Sequence, residues 1–418
     1  MKHTLLMLFL CVTTGLCMIA SLASGQEQAQ TKLLLPKLRG YFTVKRPTQS
    51  IDIETIKSAA ATTATLPLWS FDALSSRDGH DYQGVMVGRD PFNNPGSVSV
   101  PTIVVPLIIQ TNTVAVSVNP TTGIITTAPG VTIFNPAVAD TACLKAPNNV
   151  PTKLFAESPI FNPATFNFGG TIVGTTEYSD AFQRGNFWNA LGSNVDVYHV
   201  LLGPVKFLAP IVLNAPAIYG TVLPTKLYGT CGPEGIVDIN WFDSLLTGSI
   251  IPALASQGVN PTSFPIFLVH NVAWAVASPV TNLNNCCYIG YHSATGVPLP
   301  LQTYSPTDFD STGLFINALS DTAVASHEVG EWMDDPFVLN EVTPWGNIGQ
   351  VRGCTPILEV GDPLTGTEYP PIVMPNGFTY HLQELAFFSW FFGSPSIGIH
   401  GWFSDNGSFL TDAGSPCH

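Results

Sequence analysis

Ser326–Pro336 reads SHEVGEWMDDP, and this stretch decides most of what the sequence predicts about the fold. Helical spacing places His327 and Glu331 one turn apart on the same face, with Glu328 directly beside that face. An imidazole and a carboxylate at this spacing, with another carboxylate next to them, form the layout of a catalytic metal site. We therefore predict a metal-site helix over about residues 320–334, ended by the proline that follows.

The motif H-E-x-x-E differs from the zinc-peptidase pattern H-E-x-x-H, because Glu331 stands where the second histidine would be. A catalytic metal keeps three protein ligands and an open position for water, so a third ligand must come from elsewhere in the chain. The best candidates are Glu359 and Asp362, which lie downstream in the segment LEVGD. The histidine alternatives are His292, His381 and His400.

The remaining acidic residues of the motif have predicted supporting roles. Glu328 is the predicted general base, which would take a proton from a water whose pKa the metal lowers toward neutral. Asp335 is predicted to orient either His327 or the end of the helix. A metal site is favoured over a solvated acidic face because apolar side chains flank the motif, and buried carboxylates are costly unless paired or bound to a metal. The predicted metal is Zn²⁺, with another divalent ion as the alternative.

The start of the chain predicts export. Residues 1–25 are typical of a signal peptide, with an apolar run from Leu5 to Ile19 and small residues before Gln26. The apolar run is short for a membrane span, so we expect no membrane association after cleavage and a secreted, extracellular protein. The net charge of −14 makes nucleic acids and anionic membranes poor partners. The expected partner is an extracellular protein, peptide or polymer substrate.

Six cysteines lie beyond the predicted signal peptide. An even number in an exported chain favours disulfides, and six cysteines allow 15 pairings among which the sequence does not choose. Because a bond between adjacent cysteines is strained, we expect Cys286 and Cys287 each to pair with a distant cysteine. The other four are Cys143, Cys231, Cys354 and Cys417.

The organisation of the chain predicts an α+β fold. We divide it into residues 1–25, a flexible arm or pro-segment over 26–76, a β-rich N-terminal portion over 77–235 and a zincin-like domain over 236–418. The last portion contains a predicted helix, two strands and the metal-site helix in that order. This order suits a zincin-like catalytic domain, in which a mixed β-sheet packs beside the metal-site helix.

Two other segments are weaker candidates for function. Asp180, Gln183 and Arg184 lie on a helix predicted over 178–191 and could contact substrate, although an ordinary surface helix is favoured. Phe387–Phe392 is rich in aromatic residues and is expected to pack in the core, with a wall for a polymeric ligand as the minority interpretation.

The motif also carries a resemblance to known proteins. SHExxE, then Pro336, Trp345 and Glu359–Asp362, resembles the pattern SHExxEAxTDP…W…EIGD of exported bacterial proteins with zincin-like motifs. It is similar as well to the phosphate-induced (Exordium-like) proteins of plants. The resemblance covers about residues 264–406 and includes the segments 287–292, 380–383 and 402–406. Trp332 and Asp334 depart from it without removing a proposed ligand.

Two functions follow as expectations. The first is a secreted metal-dependent hydrolase, foremost a peptidase, with His327, Glu331 and a downstream carboxylate as ligands and Glu328 as base. The second is a non-catalytic extracellular binding or surface protein with a degenerate zincin-like domain. The resemblance implies the architecture of a metal site more strongly than it implies proteolysis. Substrate, metal identity and oligomeric state do not follow from the sequence.

Overall fold

The structure, a computed structural model, describes residues 41–42, 52–276, 279–296, 300–346, 353–412 and 417. The predicted signal peptide and most of the first half of the predicted arm lie outside the described residues. Strand makes up 39% of the structure and helix 23%, so the protein is mainly β.

The strands of the described residues are β1 Tyr41–Phe42, β2 Leu68–Leu74, β3 Asp81–Val87, β4 Ser97–Val118, β5 Ile125–Phe134, β6 Ala164–Phe168, β7 Thr171–Thr176, β8 His199–Phe207, β9 Ile211–Ala215, β10 Gly220–Leu223, β11 Glu234–Asp238, β12 Phe264–His270, β13 Val272–Ala275, β14 Cys286–Gly290, β15 Ser293–Thr295, β16 Gln302–Phe309, β17 Glu341–Gly346, β18 Cys354–Ile357, β19 Glu368–Val373 and β20 Thr379–Gln383. The α-helices are α1 Ile53–Thr62, α2 Pro151–Ala156, α3 Tyr178–Asn186, α4 Trp188–Leu191, α5 Thr225–Tyr228, α6 Ile239–Leu245, α7 Ile251–Ala253, α8 Ala323–Asp334 and α9 Phe388–Phe392. A π-helical stretch, Leu246–Ile250, joins α6 to α7, and short 3-10 turns include Asp362–Leu364.

One large sheet of 12 strands organises the molecule. Its strands are hydrogen-bonded in the order β10-β11-β13-β14-β16-β12-β4-β5, and β1, β8, β9 and β15 pair with members of this path. The sheet curls into a nearly closed barrel. Near the closure, the Thr113 hydroxyl of β4 donates to the Gly220 carbonyl of β10 at 2.7 Å. Every residue of β12 and β16 is buried, as expected for parallel strands covered on both faces.

The prediction of an α+β fold with a zincin-like domain was wrong. The structure is β-rich and shows no zincin-like arrangement of a helix beside its own sheet. The strand β4, from the predicted N-terminal portion, pairs in parallel with β12, from Phe264↔Thr102 to Leu268↔Pro106. The reason is that both strands are apolar and can bury both faces only in the middle of a larger sheet. The domain boundaries stay a prediction, and the large sheet takes strands from both sides of residue 235.

The helix predicted over about residues 320–334 is confirmed as α8, Ala323–Asp334, which is buried at every residue. Trp332 stacks on Phe264 of β12 with ring centroids 3.7 Å apart, and its indole nitrogen donates to the Thr303 hydroxyl at 3.0 Å. On another side, Gly330 lies so close to Leu385 that an added Cβ would overlap that side chain. These contacts fix α8 against the large sheet and the segment after β20.

The prediction that residues 178–191 form a surface helix was wrong in its placement. All nine residues of α3 are buried. Gln183 and Asn186 donate to the two carboxylate oxygens of Asp334 on α8, and Asp180 accepts from the Val200 amide at 2.7 Å. Gln183, Asn186 and Asp180 are therefore satisfied by other protein groups, which is how a polar helix tolerates burial. The aromatic segment Phe387–Phe392 is buried in the largest core cluster, as predicted.

All six cysteines are in disulfides, but the expectation of distant partners for Cys286 and Cys287 was wrong. These two bond to each other. The reason is that the other four cysteines are already paired, as Cys143–Cys231 and Cys354–Cys417. Such bonds are compatible with an extracellular compartment. In the part of the chain that the structure describes, no helix has the length and apolar character needed to cross a membrane.

Candidate metal centre

Three segments bring six ionisable side chains together around α8. The side chains are between 0% and 6% exposed, so the cluster is almost completely buried. We call this cluster the candidate metal centre. It consists of His327, Glu328 and Glu331 from α8, Glu359 and Asp362 from the chain after β18, and His292 from the chain between β14 and β15.

The orientation of His327 is set by Gln383 at the end of β20. The Gln383 amide nitrogen donates to the Gly361 carbonyl at 2.7 Å, so its oxygen must accept from His327 Nδ1, 3.0 Å away. His327 Nε2 then faces Glu331 Oε1 at 3.0 Å and Asp362 Oδ1 at 3.6 Å. In a neutral imidazole this places a nitrogen lone pair against two carboxylate oxygens. That arrangement is repulsive unless a cation, either a proton or a metal ion, lies between them.

His292 repeats this arrangement at the other oxygen of the Glu331 carboxylate. Its Nε2 donates to the Asp335 backbone carbonyl at 3.1 Å. Its Nδ1 therefore faces Glu328 Oε2 at 3.3 Å and Glu331 Oε2 at 3.6 Å. Glu331 thus turns one carboxylate oxygen toward each of the two histidines and is the shared member of the centre.

Backbone groups hold Glu331 in this position. The amides of Gly361 and Asp362 donate to Glu331 Oε1 at 3.1 Å and 3.2 Å. Gly361 also packs against the imidazole of His327, where an added Cβ would overlap the ring. The glycine in the segment LEVGD is therefore required for the chain to approach α8 closely enough to make these bonds.

Burial and mutual repulsion shift the pKa values of the carboxyl groups in different directions. Burial raises the pKa of Glu328 to about 7, against the opposing hydrogen bond from His292. Burial and the negative charge of Glu331 hold the pKa values of Glu359 and Asp362 well above their usual range. Burial also acts against ionisation of Glu331, but the adjacent imidazoles outweigh it and lower its pKa.

The two histidines are shifted toward the charged form. Burial opposes the charge of His327, but the Glu331 carboxylate outweighs it and raises the pKa to about 9. Burial likewise opposes the charge of His292, and Glu359 and Glu328 hold its pKa well above the usual value. Without a metal, protons on the imidazoles neutralise Glu331. An ion held here would replace those protons, so its binding would become stronger as the pH rises.

The donor atoms fall into two groups that could each hold a metal ion. His327, Glu331 and Asp362 form one group, and His292, Glu328 and Glu331 form the other, with donor atoms within 4.8 Å of one another in each. One histidine and two carboxylates suit Zn²⁺ and also harder divalent ions, so this donor set does not identify the metal. Glu328 Oε1 and Glu359 Oε1 are buried and have no hydrogen-bond partner.

The structure brings three of the predicted site residues together and places the other two beside them. His327, Glu331 and Asp362 come together, and Glu328 lies beside them with its side chain toward His292. Glu359 belongs to neither three-residue group, and its ion-pair partner among the described residues is the far nitrogen of His292, at 4.0 Å. The assignment of these residues as ligands and base stays a prediction.

Of the three histidines predicted as alternative ligands, one lies in the candidate metal centre and two lie outside it. His292 lies in the centre, whereas His381 pairs with Asp321 and His400 donates to the Phe168 carbonyl, outside it. The side chain of Asp335 accepts from the backbone amides of residues 339 and 340, so it fixes the turn after α8. Asp335 therefore orients the end of the helix, which is one of its two predicted roles. It makes no described contact with His327, whose orientation was the other.

Sequence reasoning missed the function of Gln383. Its backbone amide donates to the Ser326 hydroxyl at 2.9 Å, and its side chain bridges Gly361 and His327. The only signal in the sequence was the resemblance over 380–383, which marks the glutamine without giving it a partner. A hydrogen bond between residues 56 positions apart depends on the pairing of distant segments.

Comparison with family models, curated proteins and solved structures gives no match for this chain. The resemblance to zincin-like exported proteins and to Exordium-like proteins therefore stays a prediction. Function has to be argued from the geometry of the candidate metal centre.

Proposed function

We propose that the protein is a metal-dependent hydrolase acting on extracellular proteins or peptides, with one divalent ion held by His327, Glu331 and Asp362. The observation that carries the proposal is the fixed orientation of His327, whose Nε2 faces two carboxylate oxygens. A hydrogen bond from the second imidazole nitrogen to an amide oxygen is the usual support of a metal-binding histidine. Gln383 supplies that support here.

Glu328 is proposed as the general base. When bound, a divalent ion supplies an activated water at neutral pH. Glu328 lies next to His327 in the chain, and its Oε1 has no hydrogen-bond partner and can accept a proton. His292 holds the other oxygen at 3.3 Å. Burial raises the pKa of Glu328 to about 7, which is the range in which a carboxylate both accepts and releases a proton near neutral pH.

A second candidate function is favoured by the burial of the centre. A catalytic metal needs an open position for water and substrate. The most exposed side chains of the centre are Asp362 at 6% and Glu331 at 4%. A non-catalytic extracellular protein, in which the ion only stabilises the packing around α8, fits this enclosure. In the hydrolase, substrate would have to approach from the side of Asp362 and Glu331.

The deciding experiment combines metal analysis with an assay. Wild type, Glu328→Gln and His327→Ala are purified without added metal, and the ion content is measured by mass spectrometry beside hydrolysis of a general protein substrate. Exposed His80, with a side chain 77% exposed, provides the matched control His80→Ala. We expect one ion per chain that depends on His327, and activity, in wild type and in the control.

The variants separate the two functions. In the hydrolase, Glu328→Gln keeps its ion and loses activity, whereas His327→Ala loses both. An ion in wild type without activity under any metal supplement would favour the non-catalytic protein. A wild type that binds no ion at all would defeat the metal proposal. Two ions per chain, one of which is lost in Glu328→Gln, would make Glu328 a ligand through the second donor group and remove it as the base.

A further inference from the structure

A second group of buried carboxylates lies apart from the candidate metal centre. Glu234 begins β11, Asp308 lies in β16, and Asp310 follows the end of β16. Their exposures are 1%, 1% and 0%, and one oxygen of each lies within 4.8 Å of one oxygen of the other two. We call these three residues the acidic group.

Strand pairing brings the acidic group together. The strand β13 lies beside β11, and the residue before it, Asn271, accepts at its carbonyl from the Gly235 amide at 2.9 Å. The amide of Val272, the first residue of β13, donates to Asp308 Oδ1 at 3.1 Å. The carboxylates therefore sit on a rigid strand framework, which holds them close although they carry the same charge.

In each carboxylate, one oxygen accepts a hydrogen bond and the other has no donor among the described residues. The single hydroxyl hydrogen of Thr312 is shared between Asp310 Oδ1 at 2.7 Å and Glu234 Oε2 at 3.3 Å. The remaining oxygens, Glu234 Oε1, Asp308 Oδ2 and Asp310 Oδ2, are buried without a hydrogen-bond partner. A buried acceptor without a partner is costly and calls for an unseen donor or ion.

The described residues supply no ion-pair partner to this group. Among the described residues, none of the three forms an ion pair with a lysine, arginine or histidine. His270 is near enough to affect Asp310 electrostatically, but it pairs with Asp140 at 3.3 Å. Three buried carboxylates without a counter-charge are unfavourable, and this arrangement indicates a bound cation.

We propose that Glu234, Asp308 and Asp310 form a structural binding site for Ca²⁺. All donors are oxygens, which suits a hard cation and not a soft one. Ca²⁺ accepts irregular oxygen geometry, whereas Mg²⁺ demands a near-ideal octahedron and retains several waters, for which a group this buried is poorly suited. An ion would supply the missing partner for the three free oxygens and balance most of their charge.

A cavity lies near the acidic group. A cavity of about 240 Å³ is lined by Pro233, His270 and Asn271, among others, and Pro233 directly precedes Glu234 in the chain. The same region is tied by the disulfide Cys143–Cys231 and by a hydrogen bond from the Cys231 amide to the Thr312 carbonyl at 3.0 Å. A bound ion would therefore lock β11 to the end of β16 at a point that the chain already reinforces. This role does not depend on the proposed hydrolase.

The test measures thermal unfolding of the full chain after chelation, with and without added ions. In wild type, about 5 mM Ca²⁺ lies above the dissociation constants of extracellular Ca²⁺ modules. We expect it to raise Tm by about 3 °C, because an ion that binds only the folded state stabilises it. The variants are Asp308→Asn and Asp310→Asn, which keep side-chain size and remove one charge. Exposed Asp81 on β3 provides the matched control Asp81→Asn.

A Ca²⁺-binding role and a merely structural role predict opposite changes in the Tm of the two variants. Without Ca²⁺, both variants should match or exceed wild type in Tm, since one of three like charges is gone. With Ca²⁺, both should show no shift, while Asp81→Asn and His327→Ala should respond like wild type. No shift in wild type, or a shift that persists in both variants, would overturn the site. An equal shift with Mg²⁺ at the same concentration would overturn the choice of Ca²⁺.

A direct measurement covers the case in which both variants fail to fold. Titration calorimetry of chelated wild type with Ca²⁺ should then show one ion per chain, and His327→Ala should give the same stoichiometry. Absence of binding in wild type would overturn the proposal. Loss of binding in His327→Ala would do so as well, because it would place the ion at the candidate metal centre.

Discussion

The candidate metal centre and the acidic group are both buried and rich in carboxylates, yet they are neutralised in different ways. The candidate metal centre contains two imidazoles, and each faces two carboxylate oxygens. The acidic group contains only carboxylates, and three of its oxygens have no partner. In the absence of a metal, the candidate metal centre can therefore place protons on its imidazoles and keep Glu331 ionised. The acidic group has no imidazole, so protons can bind only to its carboxyl groups.

This difference separates the chemistry that each cluster favours. Mixed nitrogen and oxygen donors with oriented imidazoles suit a transition metal and, with Glu328 nearby, catalysis. Oxygen donors fixed between strands suit a hard ion with a structural role. Each cluster should then respond to its own ion and to its own substitutions, and the following predictions test that independence.

The largest effect is expected from removing the shared carboxylate. Glu331→Gln keeps the size of the side chain but can no longer face both imidazoles as an anion. We expect the affinity for the metal to fall by more than about 100-fold. That factor is the upper limit of the cost of losing a residue that only hydrogen-bonds to a metal ligand. Competition with a chelator measures this affinity. The exposed Glu341→Gln on β17 is the control, and the Ca²⁺ response of the acidic group should survive in both variants. A Glu331→Gln protein with wild-type metal affinity would remove Glu331 from the ligands.

A smaller effect is expected at the outer partner of His327. Gln383→Leu removes the acceptor at Nδ1 and frees the imidazole to rotate or to change tautomer. Loss of such a partner lowers metal affinity by about 10- to 100-fold. The same chelator competition measures it, with thermal unfolding as a check that the fold persists. Unchanged affinity would show that packing alone orients His327.

The pH dependence of stability should distinguish the two clusters in the chelated protein. Burial raises the pKa of Asp310 from 3.8 to about 6, and the charge of Glu331 outweighs burial and raises that of His327 from 6.5 to about 9. A raised pKa in the folded state stabilises the protein below the unfolded pKa and loses that contribution as the pH rises through the folded value. We therefore expect Asp310 to lower the free energy of unfolding between about pH 4 and 6, and His327 to lower it between about pH 6.5 and 9.

Added ions should remove these losses one at a time. Ca²⁺ should remove the loss at lower pH, because it stabilises the ionised acidic group. Zn²⁺ should remove the loss at higher pH, because it replaces the protons of the imidazoles. Chemical denaturation at a series of pH values measures both. If either ion removed both losses, the two clusters would not be independent.

Local signals allowed much of the candidate metal centre to be predicted from the sequence. The end of α8 followed from its motif and from Pro336, and the need for a third ligand named Asp362, with Glu359, as a carboxylate that approaches His327. These inferences depend on residues in one helix or on the donor chemistry of one site. The metal itself and the reaction stay predictions.

Long-range pairing was beyond the reach of the sequence. The large sheet depends on β4 pairing with β12, which joins segments more than a hundred residues apart, and neither strand specifies its neighbour. The burial of α3 depends on Asp334, whose oxygens satisfy Gln183 and Asn186. Polarity alone made α3 look solvated, because a polar residue satisfied inside the protein has the same sequence signature as one in water.

The smallest effect is expected at Thr312, the counterpart in the acidic group of Gln383. Thr312→Val keeps the shape of the side chain and removes the hydroxyl that donates to Asp310 and Glu234. Two buried carboxylate oxygens lose a donor, although the Thr312 amide still donates to Asp310 at 3.1 Å. We expect a loss of about 1 kcal/mol in the free energy of unfolding of the chelated protein. Thr126→Val on β5, an exposed threonine, should change it little. Saturating Ca²⁺ should reduce the deficit of Thr312→Val, since an ion at the free oxygens leaves less negative charge for the hydroxyl to stabilise. Denaturant unfolding with and without Ca²⁺ measures both values. A deficit that Ca²⁺ leaves unchanged would mean that Thr312 acts only through local packing, and that its hydrogen bonds do not couple to the ion.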